Sequence, residues 1–444
     1  MREKDQIAST QRQIARLIPP GPPERYSRDQ DLLSWMGQNF NRYGDIFKAS
    51  IYGTIAYFIR APDYAHHILR RNWQTYKKGL AIKRIAMLLG NGLMVSEGEF
   101  WKSQRRMIQP AFHPDAVRAL SSAIEAANVA LLKKWEDAAR AGAAVNVNRH
   151  ISDLVVGVLV KAIFGNDFQE IVPHSKILSE ESKRNLAFAH AFRPLGKAIL
   201  KVIEERQKNN RNDSDMLAVL MDARHPLNGR PMPNNQLVNE VMTLIVAGHE
   251  TTASTISLIW FLLSQNPEVE HRLFDEVDGL RCEDFQNPNQ RREFPYTLQV
   301  IEEALRLYPP GWLMTRKALN DDWLGQYFVP AGTEIYISPY FIQRHPDFWD
   351  APDEFKPERF GSNCATRSRL PMIPFSEGPR NCIGEFLARL EIQIHLVTIA
   401  KHLRLRYSKN ALLELEAAVN LRNKYDFIMN PEIRERRAPP SGAL

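Results

Sequence analysis

Cysteine is scarce in this sequence of 444 residues. It occurs only as Cys282, Cys364 and Cys382, and this odd, widely spaced set excludes a disulfide framework and a cysteine-rich zinc site. The scarcity indicates a reducing compartment. We expect Cys282 and Cys364 to be small apolar core residues, whereas the surroundings of Cys382 set it apart.

Long apolar segments are absent as well. The longest runs, residues 154–160 and 256–263, are much shorter than the roughly 20 apolar residues that a membrane-spanning helix needs. Residues 1–16 are polar and charged, which argues against a secretory signal and against a membrane anchor. We therefore expect a soluble, cytoplasmic protein without a membrane anchor.

Neither charge nor composition divides the chain into parts. The 58 Lys and Arg exceed the 51 Asp and Glu only mildly and are spread along the chain, so nucleic acid is not an expected partner. No repeat, low-complexity run or Gly/Ser-rich linker occurs, and 44% hydrophobic residues suffice for one large core. We expect a flexible N-terminal segment (1–18), a single domain (19–431) and a C-terminal tail (432–444).

Helical spacing of apolar residues dominates the chain. It predicts helices over residues 115–140, 151–164, 193–207, 213–223, 236–265, 268–280, 298–307 and 383–403. Strand-like runs are few, at residues 51–60, 327–338, 403–407 and 424–429. The predicted fold class is mainly α with small β-sheets. Residues 236–265 are apolar nearly all round, which predicts a buried central helix about 45 Å long.

One cysteine stands between two glycines, with an arginine just before it and an apolar helix predicted just after it. The residues are Gly378, Arg380, Cys382 and Gly384. At a helix N-terminus, free amides and the helix dipole stabilise a thiolate. A metal is the natural partner of such a sulfur.

Together with Phe375, these residues resemble the haem-binding signature of the cytochrome P-450 superfamily. The resemblance implies the P-450 fold, with a long central helix over the haem. It also implies haem b as the cofactor, Phe375 in its binding loop and Cys382 as the iron ligand, whose electron donation favours O–O cleavage. Arg380 would contact a haem propionate, and Arg316 stands where many members supply another such contact.

Two further motifs of the family follow in the expected order. Glu303 and Arg306 match E-x-x-R, and Arg359 would complete a structural triad on the proximal side of the haem. Trp101 and Arg105 match W-x-x-x-R, which binds haem propionates.

Residues 247–252 resemble the oxygen-activation motif of the family, A-G-x-D/E-T. The resemblance implies that Glu250 and Thr251 are the catalytic acid and alcohol that relay protons to dioxygen. A glycine inside a helix and a threonine hydroxyl bonded back to a carbonyl would open room there. We expect His249 to pack or to make a local hydrogen bond rather than to bind a ligand.

The resemblance covers essentially the whole chain and implies a haem-dependent monooxygenase. It would insert one oxygen atom from O2 into a hydrophobic substrate such as a fatty acid, a terpenoid or another secondary metabolite. The residues expected to line the pocket are Ile245, Ala247, Thr251, the segment Gly311–Met314 with Trp312 and Leu313, the loop 76–94 and a turn in the C-terminal strands. Lys83 and Arg84 either clamp a fatty-acid carboxylate or face solvent.

No reductase domain follows the haem-binding motif, which implies that NAD(P)H supplies electrons through a ferredoxin or flavodoxin with its reductase. Basic residues suited to docking such an acidic partner are Lys102, Arg106, Lys401, Arg404 and Arg406.

Other functions of the same fold stay open at this point. A peroxide-driven or isomerising haem-thiolate enzyme would need no redox partner, and a haem sensor or carrier would need no catalysis. The Glu250–Thr251 pair argues against both. The segment between residues 165 and 193 is shorter than most members devote to two lid helices, which predicts a truncated lid.

Overall fold

A computed structural model of the protein describes residues 17–82, 89–175, 186–211, 213–279, 294–361, 370–407 and 413–435, with only the backbone for 186–191. The possible carboxylate clamp Lys83–Arg84 and the cysteines Cys282 and Cys364 lie outside these ranges.

Helices make up most of the described chain, which confirms the predicted class. They are α1 (Leu32–Tyr43), α2 (Pro62–His66), α3 (Gly98–Ile108), α4 (Pro114–Arg118), α5 (Ser121–Arg140), α6 (Val147–Phe164), α7 (Phe168–Ser175), α8 (Leu186–Lys208), α9 (Met216–Asp222), α10 (Asn234–Gln265), α11 (Pro267–Asp278), α12 (Pro295–Leu307), α13 (Pro339–Ile342) and α14 (Glu385–Ala400).

The strands are short and form small sheets. They are β1 (Ile46–Ile51), β2 (Thr54–Ile59), β3 (Tyr76–Lys78), β4 (Val145–Asn146), β5 (Met314–Ala318), β6 (Asp322–Leu324), β7 (Tyr327–Val329), β8 (Glu334–Ile337), β9 (Leu403–Tyr407), β10 (Leu415–Ala417), β11 (Leu421–Asn423) and β12 (Ile428–Ile433). The largest sheet has the order β1-β2-β8-β5-β3, and β2 and β8 are its parallel pair. The other sheets are β4-β12-β9 and the hairpins β6-β7 and β10-β11.

Several predicted boundaries shift in the structure. The predicted helix 115–140 is divided into α4 and α5, and the predicted strand 51–60 is mostly the second arm of a hairpin. The chain turns there at Tyr52 and Gly53, both with positive φ. Strand β12 continues to Ile433, two residues into the segment predicted as a tail. In the short lid region, α7 and the start of α8 lie on either side of residues 176–185, which are not described.

Helix α10 is the central element of the fold, as its composition predicts. It is 32 residues long and contacts α6, α8, α12 and α14. Ile256, Leu258 and Ile259 point in different directions around its axis, yet each is at most 1% exposed. A helix surrounded in this way can present one stretch of its surface to an internal cavity. Over the described residues, no helix is both long and apolar enough to span a membrane.

A buried polar network ties α10 to α5 and α14. Trp260 Nε1 donates to His395 Nε2 at 2.8 Å, so His395 Nδ1 carries the ring proton and donates to Asn128 Oδ1 at 2.7 Å. Both ring nitrogens are therefore engaged in the neutral form, and a second proton would face the Trp260 donor. Burial lowers the pKa of His395 to about 3.

This histidine is expected to weaken the fold in acid. The unfolded chain binds a proton at His395 below about pH 6.5, while the folded chain does so only near pH 3, so stability falls as the pH drops through that window. Between pH 8 and pH 5 the loss attributable to His395 is about 2 kcal/mol. Urea unfolding of the wild type and of His395→Gln at both pH values measures it. The gap between the two proteins should shrink by that amount, and parallel pH profiles would contradict the assignment.

Candidate active site

A cavity of about 390 Å³ lies between α10 and the loop that leads into α14. Most of its wall is apolar, contributed by α6, α10, the segment 93–94 and the segment 310–314. Its polar and charged side chains include Lys78, Trp101, Arg105, Thr251, Arg380, Cys382, Glu391 and Asn420.

The loop that carries Cys382 is folded back by one backbone bond and one glycine. The Cys382 amide donates to the Phe375 carbonyl oxygen at 2.9 Å. Gly378 has φ +74°, and a Cβ there would lie 2.1 Å from the Leu69 carbonyl oxygen, so only glycine fits. Gly384 is the N-cap of α14, which places Cys382 just before the helix, as the sequence predicts. The sulfur lies in the cavity wall.

The Cys382 sulfur is open to the cavity but lies deep below the outer surface. Desolvation is the largest influence on it and raises the pKa of the Cys382 thiol. Hydrogen bonds from the Gly384 and Glu385 amides and the charge of Arg105 act in the opposite direction. The thiolate stabilisation predicted from the helix N-terminus is thus present, but burial outweighs it. A coordinated cation would reverse the balance.

Two arginines hold the Cys382 loop in place. Arg105 donates to the Asn381 carbonyl oxygen at 2.8 Å and to Asn381 Oδ1 at 3.1 Å. Arg380 pairs with Glu97 and lies 5.3 Å from the ring centre of Trp101. Its buried Nε has no hydrogen-bond partner within the described part of the chain. This orphaned donor at the cavity wall fits an anionic group of a bound molecule.

The structure places a lysine near these arginines, Lys78, which none of the sequence motifs marks. Lys78 Nζ donates to the carbonyl oxygens of Leu93 at 3.0 Å and Ser96 at 2.8 Å, and burial lowers its pKa to about 7. Lys78 pairs in register with Arg316 across β3 and β5. Arg316 is buried and donates to the Thr315 carbonyl oxygen at 2.9 Å, and it is not among the described residues of the cavity wall.

On α10, Thr251 faces the cavity and its hydroxyl donates to the Ala247 carbonyl oxygen at 2.8 Å, the back-bond that the motif predicts. Gly248 serves close packing, because a Cβ there would lie 3.2 Å from the Leu159 methyl groups of α6. His249 bonds the Ser152 hydroxyl at 2.6 Å, which agrees with the predicted local role.

Glu250 turns away from the cavity toward the β10-β11 hairpin. Its Oε2 accepts from Asn420 Nδ2 at 3.0 Å, and Arg422 Nη1 lies 4.0 Å from its Oε1. A second carboxyl, Glu391 on α14, lines the cavity. Burial raises the pKa of Glu391 to about 8, and its Oε1 has no hydrogen-bond partner in the described structure. Asn420 lies in a turn between C-terminal strands, where a lining segment was expected, but no motif marked this residue or Glu391.

The predicted triad is assembled on α12. Arg306 donates to both carboxylate oxygens of Glu303, at 2.6 and 2.8 Å, and both side chains are fully buried. Arg359 Nε lies 3.2 Å from Glu303 Oε1. The remaining Arg306 protons go to the carbonyl oxygens of residues 343, 352 and 354.

Three residues predicted to line the pocket lie elsewhere. Ile245 is fully buried in the main core on another face of α10. Trp312 is packed in a separate core with β1, β2 and α1, where its Nε1 donates to the Ala418 carbonyl oxygen at 3.0 Å, and Leu313 packs against the same core. Gly311 and Met314, at the two ends of the predicted segment, do line the cavity, and Thr243 and Leu244 line it in place of Ile245.

The predicted docking surface is also corrected in part. Lys401 is buried, and Arg404 and Arg406 pair with the buried carboxylate of Glu270, at 2.9 and 3.2 Å. These three side chains therefore serve the fold. Arg106 is exposed on α3.

The wall of the cavity fits a haem. A single thiol faces the space, and over the described residues no group of three or more His, Cys, Asp and Glu side chains could hold a metal ion. One protein ligand suits an iron carried by a macrocycle better than a tetrahedral zinc, which needs four ligands. The apolar walls suit the ring, and Lys78, Arg105 and Arg380 suit its carboxylates.

Comparison with known proteins agrees with this geometry. The family model for Cytochrome P450 matches residues 24–192 and 170–429. A cyclooctat-9-en-7-ol 5-monooxygenase from Streptomyces melanosporofaciens is 31% identical over 82% of this chain and 83% of its own length. A pentalenene oxygenase from Streptomyces avermitilis is 28% identical over 84% of this chain and 87% of its own length.

Solved structures share the fold. A cytochrome P450 (CYP102L1) and a retinoic acid-bound cyanobacterial CYP120A1 each match with a TM-score of 0.82 at 23% sequence identity. Each match covers 94% of this chain and 99% of the other.

Proposed function

This chain belongs to the cytochrome P450 family and is a monooxygenase of that family, and we propose that its substrate is a terpenoid or a similarly apolar ring compound. The observation that carries the proposal is the apolar wall of the cavity above Cys382. The names of two relatives, which specify cyclooctat-9-en-7-ol and pentalenene, support it.

Haem b would be held in this cavity by residues at one end of it. Cys382 would supply the iron ligand, and Lys78, Arg105, Arg380 and Trp101 would contact the propionates. When bound, the haem supplies the activation of O2 that amino-acid side chains cannot provide. Arg316 lies outside the described cavity wall, next to Lys78 across β3 and β5. It would therefore add positive charge near the propionates without contacting them.

The chain itself supplies the protons. The Thr251 hydroxyl faces the cavity and is oriented by the Ala247 carbonyl oxygen, so its own oxygen can accept a hydrogen bond from the interior. Glu250 is about one-third exposed and can exchange protons with solvent. Thr251 would pass these protons inward, while the apolar wall excludes bulk water.

The distribution of charge favours a terpenoid over a fatty acid. The cations in the described cavity wall are Lys78, Arg105 and Arg380, and all belong to the end that would hold the propionates. Over the described residues, the remaining wall, with Leu93, Leu244 and Met314, offers burial without a cation for a free carboxylate.

The test is a substrate titration of the haem-loaded protein with a cyclic terpene alcohol and with a long-chain fatty acid. We expect a saturable low-spin to high-spin change and an oxidised product with the terpenoid only. Turnover of the fatty acid alone would overturn the substrate proposal.

Thr251→Ala is expected to lower the amount of product formed per O2 consumed about tenfold, because the hydroxyl that orders protons in the cavity is lost. Substrate affinity should change little. Ser257→Ala is the matched control, since it deletes the same kind of back-bond, here to the Ala253 carbonyl oxygen at 2.8 Å, outside the described cavity wall. An equal amount of product per O2 consumed in both variants would contradict the role of Thr251.

The redox partner is proposed to be an acidic ferredoxin or flavodoxin that takes electrons from NAD(P)H through its reductase. The surface near the Cys382 loop carries exposed Arg70, Arg71 and Arg106, and a Cβ on Gly378 of that loop would lie 3.1 Å from the Arg70 Cα. The half-exposed Lys102, which pairs with Glu99, adds a further cation. Such a basic surface steers an acidic partner.

Charge reversal at Arg71 and Arg106 is expected to slow reduction by an acidic ferredoxin about tenfold at low salt, and the difference should shrink as salt is added. Stopped-flow reduction measures it. Lys208→Glu, at the exposed end of α8 beside the start of α10, is the control for net charge. Reduction slowed equally by all three changes would contradict a specific docking surface.

The cytoplasmic location of the protein stays a prediction.

A further inference from the structure

Asn420 is the point at which the cavity and the acid Glu250 meet. It lies at the turn of the β10-β11 hairpin and forms part of the cavity wall. The same side chain donates to Glu250 Oε2 at 3.0 Å. Successive residues on a helix point about 100° apart, so Thr251 faces the cavity while Glu250 faces the hairpin. A hydroxyl or carbonyl group of a molecule in the cavity can therefore engage the same amide that holds Glu250.

The hairpin is fixed firmly enough to hold that contact. The Leu421 amide donates to the Pro310 carbonyl oxygen at 2.9 Å, and the Leu421 carbonyl oxygen accepts from the Ser254 hydroxyl at 3.0 Å. Ser254 is one turn after Glu250 on α10, so helix and hairpin are joined right beside the carboxylate. The hairpin thus contacts both the central helix and the 310–314 segment of the cavity wall.

A cation strengthens the hold on the carboxylate. Arg422 Nη1 lies 4.0 Å from Glu250 Oε1, and Arg422 is kept in place by Glu416, which accepts from its Nε at 2.7 Å. Arg422 is mostly buried, so its attraction for Glu250 is only partly screened by solvent. Asn420 and Arg422 together keep Glu250 on the hairpin side, away from Thr251.

We propose that Asn420 is a positioning residue that couples occupancy of the cavity to proton delivery by Glu250. In the substrate-free protein it retains the carboxylate beside the hairpin. A substrate hydroxyl that bonds the Asn420 amide draws it away from Glu250, and Glu250 can then turn toward Thr251. This inference rests on the proposed monooxygenase function and adds the device that would limit oxygen consumption without substrate.

The activity test uses the haem-loaded enzyme with Asn420→Ala, Asn420→Gln and Ser254→Ala. Without the amide, substrate-free O2 consumption should rise several-fold and product per O2 should fall several-fold. The Asn420→Gln variant keeps an amide within reach and should restore both values in part. Ser254→Ala removes one hydrogen bond to the hairpin but leaves the Leu421–Pro310 bond and the Asn420–Glu250 bond in place, so it should behave as the wild type.

A second measurement does not depend on turnover. The ¹³C resonance of the Glu250 carboxyl, assigned through Glu250→Gln, should shift in Asn420→Ala and stay in place in Ser254→Ala. An unshifted resonance, or wild-type coupling in Asn420→Ala, would overturn the proposal. If the wild type oxidises no apolar compound, the proposed function fails by itself, and the resonance comparison still decides whether Asn420 holds Glu250.

Discussion

Cys382→Ala is expected to abolish oxygenation and the optical signature of a thiolate-bound haem. Over the described residues, no other cysteine lines the cavity, and the loop amide and glycine geometry place this one sulfur there. The apolar cavity and its cations remain in the variant, so haem can still enter, but without the electron-donating ligand that favours O–O cleavage. Activity should fall by at least a thousandfold.

The carbonyl complex of the reduced protein is the measurement, because its absorption reports the ligand opposite the carbon monoxide. Cys382→Ser keeps the size of the side chain and tests the chemistry of the sulfur alone. Cys282→Ser serves as the control for losing a thiol anywhere in the chain and should leave the spectrum unchanged. A thiolate-type spectrum that persists in Cys382→Ala would show that another residue binds the iron.

Arg306→Ala is expected to cost about 3–5 kcal/mol of unfolding free energy, which is a large share of the stability of a folded chain. Within the described part of the chain, the substitution leaves the fully buried Glu303 carboxylate with only Arg359 and the Lys356 amide as partners. It also strips a proton donor from three backbone carbonyl oxygens, of which that of Gln343 is buried. An uncompensated buried charge is the larger of the two penalties.

Urea unfolding followed by circular dichroism measures this loss. Arg306→Lys keeps the charge but not the two-pronged geometry and should recover only part of the stability. Arg140→Ala is the matched control, because Arg140 also pairs with an acid three residues earlier on its own helix, Asp137 at 3.0 Å, but is more than half exposed. The control should lose less than about 1 kcal/mol. A similar loss of unfolding free energy in both variants would contradict the larger contribution of the buried pair to stability.

The local spacing of residues determined much of the site. Cys382 and its glycines, the Glu303–Arg306 pair and the Glu250–Thr251 pair are each contained in one loop or one helical turn. For such short segments, chain geometry alone sets which side chains are neighbours. The apolar circumference of residues 236–265 likewise required a central helix, because a surface without a polar side must be buried on all sides.

Tertiary structure alone decided which distant residues complete the site. Lys78 reaches the cavity because β3 pairs with β5, and Asn420 reaches Glu250 because the β10-β11 hairpin packs against α10. Trp312 and Ile245 were predicted from their positions to line the pocket, but in the structure their side chains are buried in the hydrophobic cores. Arg404 and Arg406 looked like a docking surface until Glu270 proved to be their partner.

The physical reason is the range of the interactions. Spacing along the chain fixes neighbours within about one helical turn, whereas contacts between residues hundreds of positions apart depend on how whole elements pack. The sequence by itself therefore determined the ligand loop, the buried ion pair and the central helix. The packing of the β3–β5 sheet brought Lys78 to the cavity wall, and the packing of the β10-β11 hairpin against α10 brought Asn420 to Glu250.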